Sequence, residues 1–190
     1  MKRRGTWEFP NRVELTAALI PRLADYGSPP VVPRVLDACN KFMDPRMAKA
    51  CMEKGYRLTP CDIEPEGYAA VQVDLNGPLP FKDGWFRGIV SSDTLEHVND
   101  MGAALREFFR VTEAGGWLIL HLPVDIVKGT LRGVTCRADK EDKDHHVWCP
   151  GMDVAGLVVK SGYRIVGRVE SSDRDIFHVS VAWLAVQESK

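Results

Sequence analysis

The sequence predicts an α/β domain built on a doubly wound, mostly parallel sheet, and three observations predict it. Residues 88–92 (GIVSS) are a short apolar run that turns polar at its carboxyl end, residues 101–111 repeat apolar side chains at helical spacing, and residues 117–122 (WLILHL) are a second apolar run. Strand, helix, strand in that order folds with a right-handed crossover and parallel strands. Shorter strand-like runs lie upstream at 34–38, 56–61 and 70–73, with Asp37, Asp62 and Asp74 at or just past their carboxyl ends. A period-two pattern, with Phe177, Val179, Val181 and Trp183 on one face, closes the chain.

Each element has local support. Asn11 and Glu14 are spaced as a capping box, and Val13, Ala17, Ile20 and Leu23 form one face of a first helix, interrupted at Pro21. Asp44 can cap a second helix with Pro45 at its first position; Met47, Ala48, Cys51 and Met52 mark its apolar face, and Gly55 ends it. Residues 94–100 read as a loop or helical turn leading to Asp100 as N-cap. Met101, Ala104, Leu105, Phe108 and Val111 then form a buried stripe, with Gly115 and Gly116 expected to end the helix. Pro123 is expected to stop the following strand. A last helix over about 152–161 precedes strands near 162–166 and 176–186, with a turn at 171–175.

The 190 residues suit one domain with a sizeable core, taken as 1–190, with a helical extension over 1–30 and a lid-like insertion over 124–150. A net charge of −1 provides no pull toward nucleic acid or acidic membranes. The five cysteines are odd in number and show no CxxC spacing, which points to reduced thiols rather than a disulfide framework or zinc site, and so to the cytoplasm. No apolar run approaches the ~20 residues that span a bilayer. No membrane or nucleic-acid partner is expected, and no metal; the sequence carries no signal for an oligomeric state.

The string LPFKDGWFRGIVSSDTLEHV at 79–98, followed by REFFRV at 106–111, AGGWLIL at 114–120 and HLP at 121–123, resembles the middle of class I S-adenosylmethionine (SAM)-dependent methyltransferases of the type 11-like group. The resemblance covers roughly a quarter of the chain. It implies a Rossmann-like, seven-stranded sheet, mostly parallel with an antiparallel last strand, and a helix ahead of the sheet lying over the cleft. It also implies SAM as cofactor and in-line methyl transfer to a small-molecule acceptor.

Site residues follow from the same register. GYRLTPCDI at 55–63 resembles the second-strand pattern whose acid accepts from the ribose hydroxyls, which assigns Asp62 and Ile63 to the nucleoside; a turn aspartate is the plainer reading. Asp74 and Leu75 stand where the family flanks adenine, though Asp74 with Asn76 and Gly77 also forms an ordinary turn. Asp37, Cys39 and Asn40 would border the methionine end, and Ser91 the meeting point of cofactor and acceptor. His97, in LEH, and His146, in HVWCP, are the catalytic candidates, since a histidine can take a proton near neutral pH. For Glu96 and His97 the plainer expectation is a solvent-facing or capping role.

Two departures stand out. The family's glycine-rich loop after the first strand is here DACNKFM (37–43), without a glycine, and the family's acid after Phe86 is Arg87. The first keeps a second hypothesis open: a non-catalytic binding or scaffold protein on the methyltransferase fold that has lost normal SAM binding.

Overall fold

The computed structural model describes residues 12–22, 31–38, 45–64, 71–127, 130–137, 146–150, 152–172 and 179–187, of which 12, 13, 15, 45, 123–127, 130–137, 146–150, 168–172 and 179–185 are described by their backbone alone. Three parallel strands come first: β1 (Arg34–Ala38), β2 (Arg57–Asp62) and the short β3 (Val71–Gln72). β4 (Phe86–Ser92), β5 (Thr112–Val127), β6 (Thr130–Arg137), β7 (His146–Pro150), β8 (Tyr163–Ser172) and β9 (Val179–Gln187) complete the sheet. The order β3-β2-β1-β4-β5 is parallel throughout. β9 then pairs antiparallel with β5 and β8 with β9, so seven strands follow the expected plan. The antiparallel last strand is internal, between β5 and β8, rather than at the sheet's end.

Strand alternation sorts the core into two layers. Leu36, Ile89, Leu118, Leu120 and Leu122 face a cluster completed by Leu105, Phe108 and Val158, from α3 (Met101–Val111) and α4 (Val154–Lys160). Val35, Val90, Trp117 and Ile119 face the other way, against Met47, Cys51, Tyr56 and Ile20. These come with α1 (Arg12–Leu19) and α2 (Pro45–Glu53). Adjacent strand residues thus serve opposite layers, the reason these runs are apolar without a gap.

The helices follow their local signals. All five stripe residues of α3 are buried, and Asp100 Oδ1 accepts from the Ala103 amide at 2.9 Å. Asp153 caps α4 through the Gly156 amide at 2.8 Å. Pro45 opens α2, and Gly55, at φ 94°, follows it. Met52, expected on the apolar face of α2, is instead 72 % exposed. α1 ends at Leu19, ahead of Pro21, and the Lys54 ammonium donates to the Ala17 carbonyl at 2.7 Å and to that of Ile20 at 2.5 Å. The end of α2 thereby caps the end of α1. Asn11, Leu23 and Asp44 lie outside the described residues.

Three boundaries differ from expectation. α3 stops at Val111, not at Gly115: Thr112 turns extended and already pairs with Phe86, so sheet pairing displaces further helix. Its hydroxyl donates to the Phe108 carbonyl at 2.7 Å, while Gly115, at φ 74°, lies in the irregular start of β5. Pro123 does not stop β5. The last β4 partner lies opposite His121 and the first β6 partner opposite Val124, so Pro123 stands where one side of β5 has no neighbour to receive an N–H. The described part of 124–150 is not a structureless connection: β5 continues into it, and β6 and β7 extend the sheet antiparallel. Ser171 and Ser172, expected in a turn, belong to β8.

Arg87 donates to Glu113 at 2.8 Å, so the base that replaces the family's acid ties β4 to the start of β5. No described helix is long and apolar enough to cross a membrane.

Candidate active site

The strand order reverses between β1 and β4: β2 and β3 lie to one side of β1, β4 and β5 to the other. Loops leaving these strands diverge, which opens a crevice at their carboxyl ends, the general ligand position in such sheets. Asp37, Ala38, Ser91 and Ser92 flank it, with Ala38 opposite Ser91 in register. Thr94 closes its floor, its hydroxyl shared between the Ala38 carbonyl at 3.1 Å and the Ser92 carbonyl at 3.0 Å.

Asp37 is 1 % exposed, and its Oδ2 has no hydrogen-bond partner among the described residues. Burial alone pushes its carboxyl up from 3.8 to about 7, because desolvation penalises the charged form. It lies on the α1/α2 face, by the parity of Val35. The fully buried Ser91 hydroxyl, on the opposite face, is likewise without a described partner. Cys39 and Asn40 lie outside the described residues.

Asp62, at the tip of β2, is 5 % exposed, and its Oδ1 accepts from the Glu64 amide at 2.9 Å. It is therefore a turn former at the carboxyl end of β2. Ile63 follows it with 48 % exposure, an apolar surface beside a buried acid. Asp74 is exposed, and its Oδ1 accepts from both the backbone and side-chain nitrogens of Asn76, at 2.8 and 2.9 Å. Leu75 is 6 % exposed and packs into the α3-side core. Asn76 in turn accepts from the Asn99 amide at 2.7 Å, joining this turn to the segment after β4. Asp37, Asp62 and Ser91 thus gather at neighbouring strand tips, while Asp74 is committed to its own turn.

His97 is half-buried at the end of a single 3-10 turn, Leu95–His97. Glu96, expected to face solvent, is 3 % exposed, because the tight turn directs it inward beside Leu95. The side chain of His146, on β7, lies outside those described. Sequence reasoning missed Asp93, Thr94 and His121. The signal was present: an Asp-Thr pair directly after an apolar strand and one histidine inside another.

Sheet order and crevice together define the class I methyltransferase fold. The family described as a methyltransferase domain matches residues 44–120, from the second helix into β5. Among solved structures the chain is similar to the Burkholderia thailandensis 1,6-didemethyltoxoflavin-N1-methyltransferase, determined with 1,6-didemethyltoxoflavin and S-adenosylhomocysteine bound. The identity is 15 %, over 93 % of this chain and 78 % of that one, with a TM-score of 0.67. It is also similar to the cyclase SpnF, at 15 % identity over 94 % and 81 % of the two chains and a TM-score of 0.68. A SAM-dependent methyltransferase from Mesorhizobium loti matches at 15 % identity over 91 % and 96 %, with a TM-score of 0.63. A search of curated proteins found no match.

Proposed function

We propose that this chain is a SAM-dependent methyltransferase that methylates a small-molecule acceptor by in-line transfer. The observation that carries the reading is the pair of buried acids, Asp37 and Asp62, at the tips of adjacent parallel strands beside the switch point. Asp37, whose buried Oδ2 has no described partner, is costly to keep there unless a ligand donor completes it. That cost fits a nucleoside and an amino-acid moiety laid across β2 and β1.

In this reading Asp62 accepts from the ribose hydroxyls and exposed Ile63 covers one face of the adenine, with Asp74 and Leu75 at its rim. Asp37, with Cys39 and Asn40, borders the methionine end, and Ser91 lies below it. When bound, SAM supplies an electrophilic methyl group on a sulfonium. The chain's own task is then to hold the acceptor in line, exclude water and provide for its proton. His97 and His146 are the histidines proposed to assist the acceptor, and 124–150 the segment proposed as a lid.

The second reading, a non-catalytic binding protein, is favoured by the glycine-free stretch 37–43, which denies the backbone its usual close approach to a ligand. Calorimetry with SAM and S-adenosylhomocysteine separates the two. A micromolar dissociation constant is expected; absence of binding at millimolar ligand would leave the second reading in its place.

A further inference from the structure

We propose that Asp93 is the residue that receives the proton of the methyl acceptor, and that the buried His121 is its positioning residue. This rests on the methyltransferase reading above and specifies its acceptor side.

Asp93 and His121 are latched at two points. His121 Nδ1 lies 2.8 Å from Asp93 Oδ1, and the Asp93 amide donates to the His121 carbonyl at 3.1 Å. With Asp93 as a carboxylate, which can only accept, the imidazole Nδ1–H is the donor in this contact. The Ser92 hydroxyl is a second, longer neighbour at 3.4 Å. Ser92, at the carboxyl tip of β4, stands opposite His121 in register, the point at which β5 runs on past β4. By the parity of Trp117 and Ile119, His121 lies on the same sheet face as Asp37.

Two features are unexplained by packing. His121 is fully buried within an otherwise apolar strand segment, where a leucine would fill space without a polar group to satisfy. Asp93 has φ 48°, the only positive value among the described non-glycine residues. Left-handed backbone costs about 1–2 kcal/mol, less for aspartate, and persists where surroundings over-determine it. The two contacts to His121 supply that determination. The result is an acid whose carboxylate sits at the crevice edge, with its side chain 22 % exposed, held by a base that is wholly inside.

Asp93 is thereby matched to a protic acceptor, an amine or a phenolic hydroxyl. As the acceptor heteroatom bonds to the methyl carbon, the N–H or O–H proton passes to the Asp93 carboxylate. The C–S electron pair remains on the donor sulfur, leaving a thioether. The His121 contact to Oδ1 leaves the other Asp93 carboxylate oxygen for the acceptor.

The test uses the full chain, S-adenosylhomocysteine as binding probe, and methyl-labelled SAM with catechol, phenol, histamine and benzylamine as acceptors. Expected is transfer to at least one acceptor, with kcat falling about 100-fold or more in Asp93→Asn while S-adenosylhomocysteine affinity changes by less than about twofold. Asp93→Glu restores part of kcat, and His121→Gln lowers kcat with little change in KM. In histidine-15N-labelled protein the His121 Nδ1 proton gives a downfield resonance that Asp93→Asn abolishes. Retention of kcat in Asp93→Asn within about threefold overturns the proposal. So does a protein that binds S-adenosylhomocysteine yet methylates no member of the panel. Failure to bind S-adenosylhomocysteine at all overturns the methyltransferase reading itself, and this inference with it.

Discussion

The Thr94 hydroxyl donates to the carbonyl of Ala38 at 3.1 Å, joining the segment after β4 to the end of β1 across the floor of the crevice. The two residues are far apart in sequence, and the bond spans the point at which the strand order reverses.

Thr94 is 5 % exposed, so Thr94→Val leaves the Ala38 carbonyl buried with one donor fewer. A stability loss of about 1–3 kcal/mol is expected, read as a lower urea midpoint with unchanged slope. S-adenosylhomocysteine affinity should weaken as well, since the floor loses its tie. Wild-type stability in this variant would mean that the bond contributes nothing.

Asp62 already serves the Glu64 amide, which separates turn from ligand. Asp62→Asn keeps an acceptor oxygen for that amide and is expected to fold normally. Asp62→Ala is expected to lose S-adenosylhomocysteine binding altogether, and Asp62→Asn to weaken it at least about tenfold, in calorimetry. Unchanged affinity in Asp62→Ala would remove the ribose assignment.

Asp37 makes stability depend on pH. Its carboxyl is pushed up to about 7 in the fold from an ordinary 3.8, so between those values the folded chain binds a proton that the unfolded chain has released. Stability from this group is therefore full below about pH 4, falls as pH rises through the interval, and levels off above about 7. A displacement of that size corresponds to at most about 4 kcal/mol. Asp37→Asn, a mimic of the protonated acid, should be the more stable protein at pH 8, by about 2–4 kcal/mol, with the gap closing toward pH 4. Urea midpoints of both proteins across that range check the sign; a gap that widens on acidification would refute it.

Gly88 lies against the face of Trp117, and a Cβ there would run into the indole carbons. Trp117 is itself fully buried, edge-on to Tyr56 with ring centroids 5.7 Å apart, and has little room to retreat. Gly88→Ala should cost about 2–4 kcal/mol, with partial recovery when combined with Trp117→Leu. Additive losses in the double variant would show that the two positions do not meet.

Much of the fold was legible because it rests on local periodicity. The α3 stripe, the cap Asp100, and Pro45 as first residue of α2 depend on neighbours in sequence, and all appear as read. The misjudged boundaries share one cause. Thr112 leaves its helix for a partner on Phe86, and Pro123 is tolerated because of which strands lie beside it. Partners remote in sequence settled both, and no local pattern encodes them.

The site divides along the same line. The sequence by itself determined the alternation of strands and helices and that acids fall at strand tips, since both follow from apolar runs ended by polar residues; the seven-stranded plan is what the family resemblance implied. Only the tertiary structure decided that Asp37 is buried with its carboxyl raised, that Asp74 is taken by its own turn, and that Glu96 faces inward. It also decided that Asp93, just past β4, and His121, on β5, meet at 2.8 Å. Burial and hydrogen bonding across the sheet are properties of register between distant segments, and register exists only once the chain has folded.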